Sequence, residues 1–384
     1  MVFRLRYLLA GVILVSCSLS VRGQAGDCDQ TLSHAETEFT AGHFYAIPAL
    51  LQKCLSDGLS REQSIRAYLL LCQVYLIIDD PIAAEDSYLK LLDADPEYVT
   101  DEQKDPIDVV YLSKKFTATP IFTPHFRIGL NSSVYRNIYS MSTNPYPVDI
   151  HNFLRVNVQA GAGLDWNIND NLSVGIEANF GTRAFRREID GLAGNNLQTH
   201  LSSQLWGDLP LYLKYSASQG NIRPFGYAGL ALNYLISSKS TFTYKDVKPD
   251  LSQILAEGPS ENVTYQNNRL NRSFVIGGGI KYKVGKDFIY VDLRYMGALS
   301  NLTTVNKLYY GDPANAPNNG VGNPNLFIAS NVTKYVFVSD LFRLDNVSLS
   351  FGFIHPIYDP RRIKKARTKS VSRKIQREEG GKTK

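Results

Sequence analysis

The chain has 384 residues, 44% hydrophobic and 20% charged, with 23 Tyr and 18 Phe against 3 Met. Its formal charge of +5 is uneven: residues 361–384 hold 11 Lys/Arg and 2 Glu, net +9, which leaves −4 on the rest. A near-neutral body with a basic tail excludes a chain that is basic throughout, and no run of about 20 apolar residues follows the N-terminus to form a membrane-crossing helix. A closed sheet can still cross, because it satisfies every backbone group.

The N-terminus reads as a secretory signal over 1–23, with Arg4 and Arg6 as its charged region and residues 7–15 as its apolar core. Cleavage after Gly23 leaves Cys28, Cys54 and Cys72 in the exported chain. A rival reading exists, because Leu14, Val15, Ser16 and Cys17 resemble a lipoprotein box that would put a lipid on Cys17.

Over 28–116 the apolar period is close to 3.6, which predicts a small all-α domain. Within it Tyr68, Leu71, Tyr75, Ala84, Tyr88, Leu91 and the closing Pro96 resemble the packing positions of a tetratricopeptide (TPR) repeat. Cys72 stands where that repeat has a small Gly. An earlier pair over 29–57 fits through Ala35, Gly42, Phe44, Ile47 and Leu51, with Pro48 expected to interrupt its second helix. A third helix is expected over 106–115. In an antiparallel pair the start of one helix lies near the end of the other, so a disulfide between Cys28 and Cys54 is predicted, with Cys72 a buried free thiol. No CxxC pair points to redox work.

Residues 117–124 form a linker with Pro120 and Pro124, and a barrel is predicted over 125–358. The clearest strand is 172–186. Leu172, Val174, Ile176, Ala178 and Phe180 fall on one face; Ser173, Gly175, Glu177, Asn179 and Gly181 fall on the other. A membrane strand needs about 9–11 residues, apolar toward lipid and polar toward a lumen. Seven more such runs are predicted at 125–135, 152–168, 201–216, 222–242, 266–284, 288–303 and 333–354. The connections alternate. Those near 168–171, 218–221 and 285–287 are short turn clusters, whereas 136–151, 187–200, 243–265 and 304–332 are long and polar. Bacterial outer-membrane barrels have short periplasmic turns and long external loops. The fold class is therefore α+β: an eight-stranded antiparallel transmembrane β-barrel preceded by a small all-α TPR-like domain. The helical domain and the basic tail, 359–384, are expected in the periplasm of a Gram-negative bacterium.

Alternation places Arg127, Arg155, Asp165, Glu177, Arg183, Asp208, Lys214, Lys281, Asp292 and Arg294 in the lumen. An unpaired buried charge is costly, so these are expected to pair and fill a narrow interior. Of the six His, His151 and His200 are placed near the external rim, and His125 and His355 near the periplasmic rim, all as interfacial polar groups. None has a metal-ligand spacing, no phosphate loop is present, and no catalytic set stands out, so no metal, cofactor or enzymatic activity is implied. Gly277, Gly278 and Gly279 fall inside a strand, where Gly marks a bend or a close approach.

Leu209, Pro210, Leu211, Tyr212, Leu213, Lys214 and Tyr215, then Ile222, Arg223, Pro224, Phe225, Gly226, Tyr227, Ala228 and Gly229, resemble a strand–turn–strand signature of the PorT-type outer-membrane β-barrel family of Bacteroidota-type bacteria. Asp292, Leu293, Arg294 and Tyr295, with Gly297 to Asn301, resemble that family's penultimate strand. The resemblance covers about 120–357. It implies an eight-stranded barrel without a catalytic site, in some members linked to secretion or gliding machinery. The expected function is a non-enzymatic outer-membrane anchor whose TPR-like domain binds a periplasmic or envelope protein; nucleic acid is not an expected partner. The alternative is a receptor or small-solute transporter that binds ligand through its long external loops.

Overall fold

The computed structural model describes residues 25–103, 105–139, 149–190, 196–247, 253–303 and 340–363. The signal segment, most of the basic tail and part of the predicted eighth strand lie outside these residues. The chain divides into two compact units, 120–357 and the segments either side of it.

Among the described residues the first unit holds five α-helices: α1 (Ala25–Thr40), α2 (Ile47–Asp57), α3 (Arg61–Ile77), α4 (Pro81–Ala94) and α5 (Ile107–Ser113). Their ends are written in the sequence. Ser60 caps α3 in a reciprocal box, its hydroxyl accepting from the Gln63 amide while its own amide donates to Gln63 Oε1. Asp80 accepts from the Ala83 amide, and Pro81 opens α4. Pro48 does not interrupt the second helix as expected. It lies in the first turn of α2, where a missing N–H costs no hydrogen bond. One apolar cluster joins α1, α2 and α3 through Leu32, Ile47, Leu51, Leu70, Leu71 and Val74. A second joins α3, α4 and α5 through Cys72, Ala84, Tyr88, Leu91, Leu92 and Leu112. Tyr68 and Tyr75 pack against both clusters, and Pro96 is buried.

Cys28 and Cys54 form a disulfide with Cα atoms 5.7 Å apart, and Cys72 is a buried thiol that donates to the Ala84 carbonyl. Burial pushes the Cys72 thiol up to about 12. At pH 8 it therefore carries almost no thiolate, the reactive form. A maleimide or iodoacetamide should leave it unlabelled in the folded chain and modify it after denaturation. Rapid labelling of the native protein would contradict this burial.

The first unit also contains a two-stranded ribbon. β1 (Phe116–Thr117) pairs antiparallel with the last described strand, Arg361–Arg362. The Ile363 amide donates to the Lys115 carbonyl, and Arg362 and Lys115 both reach Glu85. The first residues of the predicted basic tail are thus ordered against the helical unit.

The second unit is a sheet of long strands. In chain order these are β2 (Phe122–Tyr139), β3 (Asp149–Leu154), β4 (Val156–Asn167), β5 (Leu172–Asp190), β6 (Asn196–Ser216), β7 (Ile222–Val247), β8 (Gln253–Glu257), β9 (Glu261–Asn262), β10 (Leu270–Val284), β11 (Asp287–Ala298) and β12 (Leu341–Ile354); β13 is Arg361–Arg362. Eight of them close a ring, β2–β4–β5–β6–β7–β10–β11–β12 and back to β2, every pair antiparallel. Closure leaves no edge within the ring. The start of β2 pairs with the end of β12, His125 opposite Ile354, so the ring begins and ends at one rim. The short turns lie at that same rim.

Some boundaries differ from expectation. The predicted sixth strand starts at Leu270 rather than 266, because Thr264–Gln266 is a 3-10 turn. The seventh ends at Ala298 rather than 303. There Asp345 accepts from the Ala298 amide and Ser300 from the Arg272 amide, so side chains interrupt the regular ladder, which continues only in single backbone bonds such as Leu299 N–H to the Arg272 carbonyl. β5, β6 and β7 run 19, 21 and 26 residues, beyond the ~9–11 a membrane requires. At the long-loop end the extra length of β5 pairs with β3, that of β7 with β8 and β9, and that of β6 with β5 and β7.

The faces sort by alternation. On β2, Phe126, Ile128 and Leu130 are 60%, 67% and 51% exposed, while Arg127 and Asn131 are buried. The same holds on β6, with Leu209, Leu211 and Leu213 outside and Asp208, Tyr212 and Lys214 inside. Outward aromatic side chains such as Trp166, Tyr215 and Tyr282 lie toward the short-turn end, and Phe180, Tyr234 and Phe274 toward the other. An apolar band between aromatic girdles is the pattern of a lipid-facing barrel wall.

Candidate functional site: a charged plug in the barrel lumen

The inward residues of six strands meet around Glu177 on β5. Arg294 on β11 donates to both its oxygens, at 2.7 and 2.9 Å. Arg127 on β2 adds a third contact at 3.3 Å, and the Tyr212 hydroxyl donates at 2.8 Å. The His125 Nε2 lies 3.1 Å from the same carboxylate. Asp165 on β4 takes the Lys214 ammonium at 2.7 Å and the Tyr212 hydroxyl at 3.2 Å. Asp292 accepts from the Tyr227 hydroxyl at 2.5 Å and lies 3.4 Å from Arg127. Three cations, Arg127, Lys214 and Arg294, thus face three carboxylates, Asp165, Glu177 and Asp292, all buried. The matched charges are what a dehydrated interior demands.

A second, separate pair sits toward the long-loop end. Arg183 reaches Asp208 at 2.6 Å, and Asn233 and Ser273 continue the chain of hydrogen bonds. The Arg183 guanidinium also stacks 4.7 Å from the Trp206 ring. Further out, Arg187 is paired with Asp340 and donates to the Tyr135 hydroxyl.

Two apolar clusters fill the remaining volume. Tyr212, Phe225, Tyr227, Phe288 and Tyr290 pack toward the short-turn rim, and Tyr135, Phe185, Trp206, Leu235, Phe342 and Leu344 toward the other. Glycine makes the room. A Cβ on Gly175 would stand 2.2 Å from the Tyr212 ring and 2.5 Å from Asp165, and one on Gly163 would strike His125 and Glu177. Gly277 likewise faces the Tyr227 ring, the close approach expected of its strand position. A cavity of about 20 Å³ among Arg183, Trp206, Asn233, Asn271 and Met296 has room for about one water.

Of the ten charged residues predicted for the lumen, eight enter these pairs. Lys281 is half-buried, its ammonium 5.1 Å from the Phe288 ring centroid. Arg155 is a correction: it is exposed at the junction of β3 and β4, where the register against β5 shifts by one residue and alternation breaks. His125 is a second correction. It is buried inside the plug rather than at an interface, because β2 already starts at Phe122 and His125 shares the parity of Arg127. Arg187 was missed because it lies one residue past the predicted end of its strand, although its parity is inward.

His200 lies 3.1 Å from Ser240 Oγ, not from its neighbours Ser202 and Ser203, and its ring stacks on Phe242 at 4.8 Å. His355 pairs with Asp287 at an exposed position. Among the described residues no group of three or more His, Cys, Asp and Glu side chains is arranged to hold a metal.

No curated protein matches the chain. Solved structures similar to it include OprG from Pseudomonas aeruginosa (10% identity, 64% of this chain and 99% of that one, TM-score 0.30). Ail from Yersinia pestis is similar at 11% identity, covering 61% and 98%, with a TM-score of 0.24. The outer membrane protease OmpT from Escherichia coli is similar at 10% identity, covering 63% and 98%, with a TM-score of 0.25. Residues 122–304, which include Asp165, Glu177, Asp208 and Asp292, match the family model described as an outer membrane protein beta-barrel domain.

Proposed function

We propose that the chain is a non-enzymatic outer-membrane anchor. Its barrel holds a helical, TPR-like unit in the periplasm, where that unit binds another envelope protein. The observation that carries this reading is the plug. An eight-stranded ring leaves room for side chains rather than a channel, and here that room is taken by paired charges and aromatic rings. A wall that is apolar outside and sealed inside suits a mount better than a pore.

Strand count supports a periplasmic helical unit. The ring starts and ends at the short-turn rim, the periplasmic one in bacterial barrels. Two helical pairs and a short fifth helix make a small unit, and exposed Ile82, Ile107 and Tyr111 leave apolar surface for a partner. The PorT-type resemblance favours membership of a secretion or motility assembly. Gentle detergent extraction of tagged full-length protein should recover a stoichiometric envelope partner. Deleting 29–115 should abolish its capture while the barrel stays in the membrane. A partner retained by that deletion would overturn the adaptor role.

A second reading, an external receptor, is favoured by the extension of β5, β6 and β7 at the long-loop end. Trimming the outer loops with protease on intact cells separates the two. A receptor would lose its ligand, whereas an anchor keeps its periplasmic partner.

A further inference from the structure

Arg155 is the residue that alternation misplaces, and the cause is one extra residue. On β4 the even-numbered side chains face out: Val156 and Val158 are 73% and 63% exposed. β4 pairs with β5 up to Gln159 opposite Gly181, and β3 resumes with Leu154 opposite Phe185. Residues 155–158 therefore oppose only 182–184. The bulge reverses the parity, so that on β3 it is Phe153 that lies opposite the outward Arg186. Bulges re-aim side chains, and this one brings Arg155 out of the lumen.

The consequence is a small basic and aromatic patch at the upper edge of the apolar wall. The Arg186 guanidinium stands 5.7 Å from the Phe153 ring centroid and is half exposed. Arg155 lies two residues along the chain from Phe153, which faces Arg186, so its Cα lies within about 9 Å of that of Arg186. Two arginines at that spacing can close on one tetrahedral anion, each offering a planar fork. Glu188 takes one nitrogen of Arg186, and Arg155 makes no ion pair among the described residues. Asp149 and Asp190 face each other at the far end of the β3–β5 ladder, four residue pairs beyond Phe153, about 13 Å away. Directly below the patch, Val156 and Val158 are exposed and continue into the lipid-facing wall.

We propose that Arg155 and Arg186, with Phe153 between them, form a binding site for the phosphate-bearing headgroup of an outer-leaflet glycolipid. The guanidinium pair holds the phosphate, the ring sits at headgroup depth, and Val156 and Val158 meet the acyl chains. A free anion would use the arginines alone; the joined apolar surface is what selects a lipid. The orientation used here rests on the outer-membrane reading above.

The test uses full-length protein in detergent, with native mass spectrometry to count bound lipid. The probes are lipid A, its dephosphorylated form, and inorganic phosphate as competitor. Arg155→Gln with Arg186→Gln should weaken lipid A binding roughly tenfold or more, since both charge-assisted contacts to the phosphate are lost. Lys286→Gln, at an exposed short turn, should bind as the native protein does, and the dephosphorylated lipid should bind weakly to all. Equal lipid A binding by the double variant would overturn the site, as would displacement by millimolar inorganic phosphate. Insertion into lipid vesicles is measured alongside. A chain that fails to insert refutes the outer-membrane reading; a chain that inserts but ignores the phosphate refutes only this site.

Discussion

Replacing Glu177 with leucine is expected to destabilise the barrel by about 3–5 kcal/mol, the cost of stranding buried charge by removing one partner. Glu177 neutralises Arg294 through two hydrogen bonds and Arg127 through a third, and accepts from Tyr212. Without it Asp292 alone is left near both guanidinium groups, at 3.4 and 3.9 Å. Leucine also cannot accept the Tyr212 proton. Urea unfolding of the protein in lipid vesicles, followed by Trp fluorescence, reads the change. Adding Arg294→Met to the same chain should return part of the loss, because the stranded cation goes with it. Partners in one network are not additive, and this cycle measures their coupling. If Glu177→Leu alone left the unfolding midpoint unchanged, the plug would not be a closed charge network.

The second large effect lies in the helical unit. Cys54→Ser removes a cross-link that spans 26 residues between the start of α1 and the last turns of α2. A loop of that length contributes about 3 kcal/mol by restricting the unfolded chain. The helical unit has two modest apolar clusters, so this is a large share of its stability. Hydrogen exchange on the full-length protein should show protection of α1 and α2 falling about a hundredfold. Strands of the barrel should keep theirs. A reducing agent should reproduce the effect in the native chain and do nothing further to the variant. Unchanged protection in α1 would mean that packing through Leu32 and Ile47 suffices without the bond.

Most of the barrel was legible because its signal has a period of two and needs no knowledge of distant contacts. Arg127, Glu177, Asp208 and Arg294 could each be placed inside from their own neighbours alone. Which of them pair could not be read. Glu177 and Arg294 are 117 residues apart, and only closure of the ring brings them together. Arg155 was misread for the opposite reason. A single inserted residue flips every later side chain, and no local pattern marks it: Leu154, Arg155 and Val156 alternate in the sequence as if the strand were continuous. His125 went astray through a boundary. Starting the strand three residues late put it at a rim, although its parity with Arg127 already pointed inward. Pro48 was read as a breaker, but a proline two residues into a helix is a starter, and only the position of the 3-10 turn before it, Phe44–Ala46, tells the two apart. The last residues of β7, 243–247, were hidden because Thr243, Lys245 and Asp246 are polar, as in a loop.

The central claim is that this barrel is a sealed mount. Its most direct test is single-channel recording of the purified full-length protein in a planar bilayer, with insertion verified independently. Silence at high salt, with no stable ion-scale steps from inserted protein, is the predicted result. Steady open-state conductance in the same preparation would contradict it, since ions cannot pass a lumen filled by Glu177, Arg294, Arg127 and the tyrosine rings around them.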